Sequence, residues 1–325
     1  MDSLSSAKKQ CIDFVASKYL CRNETIGKLY SYFGLSNLPS SLFLFGDIGT
    51  GKTTILTEFL KFLPIKSVNI DCIECYTSKI VYETILNQLF DHELVAKSNY
   101  APFAKCENVR IFLEALVHNY TNDEDPFIIL FDNAERLRDM DANVLELFLR
   151  LQEMTVLNVC CIFVSTIPME KMYPKESFPI PFTIYWPKYT KQEILQILMS
   201  KYPHYKEVIA SKIRKNASLD ENSKAIRIRI LENLDLQFFE NYLNIFLNTF
   251  FRTCRDLKEL LYVSRDCFEK YCEPILDRTV EPNDARKLYN NIINSLKSAL
   301  VTIYKRFDQN SCLVIIFNGF KLTLF

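Results

Sequence analysis

The chain has 325 residues, enough for two domains, and 49% of them are apolar, enough to fill sizeable cores. Its 39 basic and 39 acidic side chains cancel, which argues against a free-standing nucleic-acid binder driven by net positive charge but leaves room for local basic patches. No apolar run approaches the roughly 20 residues of a membrane span, so no membrane partner is expected.

Residues 1–40 read as helical and polar, ending near Pro39. The start, Met1-Asp2-Ser3-Leu4 followed by Lys8 and Lys9, has no apolar segment of the secretory kind. The 11 cysteines are therefore expected as reduced thiols of a cytosolic or nuclear protein. The short apolar run 42–45 stops at Gly46 and fits a buried strand. Ile55, Leu56, Phe59, Leu60 and Leu63 then fall on one face of a helix over 52–63, which Pro64 ends. Strand, glycine-rich turn and helix open a βαβ unit. A second strand is expected at 68–71 and a helix at 78–90. Strands at 127–131 and 159–164 are apolar on every residue, with a helix over 142–154 between them. A last strand is expected at 180–186. Strands apolar on both faces imply a parallel sheet covered by helices, an α/β fold.

After Pro187 strand signals vanish, and helices are expected at 190–202, 236–252, 255–272 and 284–305. The expected organisation is a nucleotide-binding core over 1–187, an all-α lid over 188–305 and an apolar tail over 306–325. The stretch 211–229, with Lys212, Arg214, Lys215, Lys224, Arg227 and Arg229, reads as a solvated insertion, the alternative being a DNA contact. Cys72 and Cys75 form a lone C-x-x-C, and His92, His118 and His204 are scattered, so a metal or redox site lacks partners.

Glycine is scarce, 6 in all, yet Gly46, Gly49 and Gly51 crowd one turn. Gly46-Asp47-Ile48-Gly49-Thr50-Gly51-Lys52-Thr53 fits G-x-x-x-x-G-K-[ST] at every fixed position. The loop's N–H groups and the N-terminus of the following helix would cradle phosphates. Lys52 would neutralise them, Thr53 would offer its hydroxyl to Mg²⁺, and Thr54 follows at the same nucleotide. Asp132, ending an apolar strand, suits the second ligand of that Mg²⁺; a helix cap is the alternative. Active ATPases of this type place a glutamate directly after that aspartate to orient water. Here the residue is Asn133, a neutral amide, and losing a catalytic base typically costs about 10²- to 10⁴-fold. Glu135 is expected to point elsewhere unless the turn rearranges. The pattern therefore predicts ATP binding with little or no hydrolysis.

The chain has no Asn-Lys dipeptide, so the guanine-reading Asn-Lys-x-Asp of GTPases is missing. The order of motifs resembles the AAA+ initiator proteins. Leu20-Cys21-Arg22-Asn23-Glu24, Val68-Asn69-Ile70-Asp71-Cys72-Ile73-Glu74-Cys75-Tyr76-Thr77, Asp132-Asn133-Ala134-Glu135-Arg136-Leu137-Arg138-Asp139-Met140, Phe148-Leu149-Arg150-Leu151-Gln152-Glu153, Cys254-Arg255-Asp256-Leu257-Lys258-Glu259-Leu260 and Lys270-Tyr271-Cys272-Glu273-Pro274 look like the origin recognition complex subunit 5 family. The resemblance spans roughly 18–305. It implies an AAA+ core and lid, ATP and Mg²⁺ as cofactors, other subunits of the complex as partners, double-stranded DNA held within that complex, helicase loading, and a place in the nucleus. By the same resemblance, Ser165 matches the residue that senses the γ-phosphate, or caps its strand. Arg255, on a lid helix, matches a second sensor or forms a surface ion pair. Arg150 is a candidate arginine finger or an ordinary surface arginine. Family members continue into a winged-helix domain, and the apolar stretch 312–325 resembles nothing in them. A truncated isoform, an incorrect gene model, or a strand packed on the lid are the alternatives. An active AAA+ ATPase of the clamp-loader or helicase-loader type is the competing function, and Asn133 argues against it.

Overall fold

The computed structural model describes residues 13–310 except 16, 34–37, 97–98, 121–124, 142, 173–178 and 218, with backbone alone for 305–310. The apolar tail lies outside the described residues. The chain divides into two compact units between Lys188 and Tyr189.

In the first unit, β1 (Ser41–Phe45), β2 (Lys66–Asp71), β3 (Phe127–Asp132), β4 (Val159–Ser165) and β5 (Phe182–Tyr185) form one sheet in the order β2-β3-β4-β1-β5. Every pairing is parallel, and the register sets Asp71 beside Asp132 and Phe45 beside Ser165. All seven residues of β4 are buried, which is why its sequence is apolar throughout. Alternation sorts the side chains into two cores. Phe43, Val68, Phe131, Cys161 and Phe163 join one, with Tyr82 and Phe112 from the helices Ser78–Leu89 and Val109–Asn119. Leu42, Leu44, Ile128, Leu130 and Ile162 join the other, with Leu29 and Phe59 from the helices Asn23–Phe33 and Lys52–Leu60. The sheet is thus a middle layer between helices, and its carboxyl ends share one edge.

The second unit contains the helices Lys191–Met199, Tyr202–Lys215, Glu221–Asn233, Leu236–Phe250, Leu257–Leu276 and Ala285–Asn310. Its core is aromatic: Tyr202 stacks on Phe239 at 4.6 Å between centroids, and Phe268 meets Phe239 edge-on at 4.8 Å. The buried phenols of Tyr202, Tyr205 and Tyr242 are hydrogen-bonded. Tyr205 Oη lies 2.7 Å from Ser264 Oγ, and Tyr242 Oη donates to the Ser264 carbonyl at 2.6 Å.

Three sequence expectations change. The basic stretch 211–229 is not an insertion: it belongs to the helices Tyr202–Lys215 and Glu221–Asn233, the second capped by Asp220. Lys212, Lys224 and Arg227 pair with Glu269, Glu221 and Asp277. The single helix expected over 142–154 is two, Val144–Leu149 and Leu151–Thr155, broken at Arg150. The break lets both Leu149 and Leu151 reach the core while Arg150 stays out. Arg255 does not lie on a helix. Asp256 caps Leu257–Leu276 by accepting from the Lys258 N–H, leaving Arg255 in the preceding turn.

Candidate functional site: a phosphate loop with two carboxylates

The carboxyl edge of the sheet gathers the predicted loop over 46–54, Asp132 and Ser165. β1 ends at Phe45, and the loop turns back into the helix Lys52–Leu60. Gly49 and Gly51 have φ of 72° and 84°, a region that side chains disfavour. The Gly46 N–H donates to the Ser165 carbonyl at 3.3 Å, tying the loop to the end of β4. Lys52 is 7% exposed, and its Nζ donates to the carbonyls of Gly46 and Asp47, both at 2.7 Å. Burial holds this ammonium below the ordinary lysine range, against the pull of Glu135, Asp132 and Asp47. An anion at the helix start would relieve that cost. Asp47, Ile48 and Thr54 are exposed, Gly49 and Thr53 are half-buried, and Thr50 is buried.

Thr53 Oγ1 donates to Asp132 Oδ1 at 2.9 Å. Asp132 therefore does not cap the next helix; it meets the loop's hydroxyl. Two hard oxygen donors in contact suit Mg²⁺, which keeps most of its shell as water and phosphate oxygens. Asn133 is in the left-handed region, φ 53°, and its Nδ2 donates to Asp71 Oδ1 at 3.1 Å. That conformation starts the 3₁₀ helix Ala134–Asp139 at once and carries Glu135 back over the strand ends. This turn lays the Glu135 carboxylate on Thr166, at the end of β4. Its Oε1 accepts from Thr166 Oγ1 at 2.9 Å and its Oε2 from the Thr166 N–H at 3.3 Å. It is also the leading carboxylate acting on Lys52.

Ser165 is 1% exposed, and its Oγ accepts from the Ile167 N–H at 3.1 Å, while Thr166 beside it holds Glu135. Neither Thr166 nor Asp71 was singled out from the sequence. Their signal is register: each stands at a strand end next to a predicted residue. Arg150 is half-exposed and pairs with Glu146 at 3.7 Å. Arg255, in the second unit, is exposed and stands over the Phe251 ring at 4.7 Å. Cys72 and Cys75 are buried free thiols, both held protonated by burial. Among the described residues no group of three or more His, Cys, Asp or Glu could hold a metal.

A parallel sheet, a glycine-lined loop opening a helix, and a strand-end aspartate on the loop's threonine define a P-loop protein of the AAA+ class. The family described as "AAA ATPase domain" matches residues 18–162, and that described as "ORC5, lid domain" matches residues 239–306. Origin recognition complex subunit 5 of Drosophila melanogaster is 36% identical over 297 residues, covering 89% of this chain and 62% of the relative. The Homo sapiens subunit 5 is 34% identical over 293 residues, covering 88% and 60%. A chain in the structure of Drosophila ORC bound to DNA superposes with a TM-score of 0.75 at 35% identity, covering 91% of this chain and 71% of that one. The chain belongs to the origin recognition complex subunit 5 family. It spans about three fifths of the length of the two curated relatives, 62% and 60%.

Proposed function

We propose that this chain is an ATP-binding subunit of the origin recognition complex, taking part in assembly on origin DNA and in helicase loading, with little or no hydrolysis of its own. The observation that carries this reading is the Thr53–Asp132 contact at 2.9 Å with Asn133 directly after the aspartate. The loop over 46–54 holds the triphosphate, Lys52 meets its charge, and Thr53 with Asp132 hold Mg²⁺. Ser165, at the end of β4, completes the nucleotide's surroundings within the first unit. Mg²⁺ supplies charge neutralisation between the outer phosphates. No glutamate follows Asp132, and Glu135 is occupied by two bonds from Thr166, which supports binding without turnover.

Partners are the other subunits of the complex and double-stranded DNA in the nucleus. With net charge +0, contact with DNA is to the backbone and shared among subunits. Among the described residues no helix is long and apolar enough to cross a membrane.

The position of Glu135 favours one competing reading, an active ATPase with a displaced base. Single-turnover hydrolysis by the complex assembled with wild-type chain or Glu135→Gln separates the two. Equal, slow product formation with intact ATP binding is expected. Fast turnover abolished by Glu135→Gln would establish the motor instead.

A further inference from the structure

The Thr50–Gly51 peptide is followed by a glycine in the left-handed region, φ 84° at Gly51, so on that side the loop itself resists flipping only weakly. Two buried side chains from distant parts of the first unit hold it. Trp186 is fully buried, and its Nε1–H donates to the Thr50 carbonyl at 3.0 Å. Arg22 is 3% exposed, and its Nη2 donates to the same carbonyl at 3.4 Å and to the Pro187 carbonyl at 2.7 Å. The guanidinium also stands over the Trp186 ring, 5.5 Å from its centroid. Trp186 is fastened in turn, its N–H donating to the Phe45 carbonyl at 2.8 Å.

A peptide unit is planar and trans, so its carbonyl and the next N–H point in opposite directions. Drawing the Thr50 carbonyl toward Arg22 and Trp186 turns the Gly51 N–H away from them, toward the concave side of the loop. We infer that Arg22 and Trp186 are positioning residues for the nucleotide: they lock the Thr50–Gly51 peptide with its N–H aimed at the phosphates. This rests on the nucleotide-binding reading above. The same two residues tie the loop to 186–188, where Lys188 pairs with Asp47 at 3.0 Å. Seating phosphates in the loop therefore changes the surroundings of the indole.

Trp186 is the chain's one tryptophan, so its emission reports on the loop. The experiment titrates the full chain with Mg-ATP, following indole fluorescence and, separately, equilibrium dialysis of labelled ATP. A saturable emission change is expected, with the same midpoint as dialysis. Arg22→Gln and Trp186→Phe are expected to weaken ATP about tenfold, the scale of one buried hydrogen bond to a charged or polar partner. Arg22→Lys, which keeps the charge but reaches one carbonyl, is expected to fall between. Melting without nucleotide identifies any variant that has unfolded; for such a variant the wild-type emission decides. ATP bound by dialysis with unchanged emission, or bound equally tightly by folded Arg22→Gln and Trp186→Phe, would overturn the positioning role and leave nucleotide binding standing. Failure of the wild-type chain to bind ATP by dialysis would remove both.

Discussion

A methyl group added at Gly46 would sit 2.3 Å from the Trp186 carbonyl. That oxygen belongs to a buried residue whose N–H is committed to Phe45, so the backbone cannot yield cheaply. Gly46→Ala is expected to cost about 2 kcal/mol or more of stability and to abolish ATP binding, as read by thermal melting and dialysis. Lys52 gives the opposite sign. Burial holds its folded pKa below the ordinary 10.5, so between those two values the unfolded chain binds more protons, and stability rises with pH there. Below that window the buried charge is a standing cost. Lys52→Met relieves that cost and should therefore raise the melting temperature of the nucleotide-free chain while removing ATP binding. A lower melting temperature for the variant would contradict the burial argument. The loop was legible in the sequence because phosphate chemistry fixes both residue types and their spacing. Asp71, Thr166 and the role of Trp186 were not, because strand register, not spacing along the chain, brings them to the loop. The path of Glu135 onto Thr166 was not legible either, because a left-handed Asn133 cannot be read from its neighbours.

Elements declared themselves where burial was two-sided. The runs in β3 and β4 are apolar because helices cover both faces, and that pattern has few other solutions. Helices carrying charge on most of their surface did not. In Glu221–Asn233 only Leu231 is buried, so no apolar stripe marks it; Asp220, a good cap, was the available signal. The break at Arg150 has no proline or glycine to announce it and follows from packing on both sides. Caps remain the testable part of this scale. Asp256 accepts from the Lys258 N–H at 2.8 Å to start the 20-residue helix Leu257–Leu276. Asp256→Ala should lower the denaturant midpoint of the helical unit by the equivalent of about 1 kcal/mol, with an unchanged slope. Asp256→Asn should restore most of the loss, since the amide oxygen can still accept. Equal losses in both variants would mean that the charge, and not the cap, matters.

At the scale of the molecule, both units bury ionisable groups in neutral form, and this sets an alkaline limit on stability. Burial pushes Tyr82 of the first unit, and Tyr205 and Tyr271 of the second, up to about 12 from 10.0. Above pH 10 the unfolded chain releases these protons while the folded chain keeps them. The unfolded state then binds fewer protons, so stability is complete below 10 and drains away as pH climbs toward 12. Tyr205 isolates one such group: it is 2% exposed, and its hydroxyl donates to the Leu261 carbonyl at 2.9 Å beside Ser264. Tyr205→Phe loses that bond, about 1 kcal/mol at neutral pH, while the carbonyl keeps the Ser264 hydroxyl at 3.2 Å. It also removes one titrating phenol, whose rise from 10.0 to about 12 corresponds to about 3 kcal/mol over the alkaline window. The variant's deficit should therefore shrink steadily between pH 10 and pH 12, where the wild-type denaturant midpoint falls more steeply. A deficit that stays constant across that range would show that the Tyr205 phenol ionises in the folded protein as it does in the unfolded chain, and that burial in this core does not hold its proton.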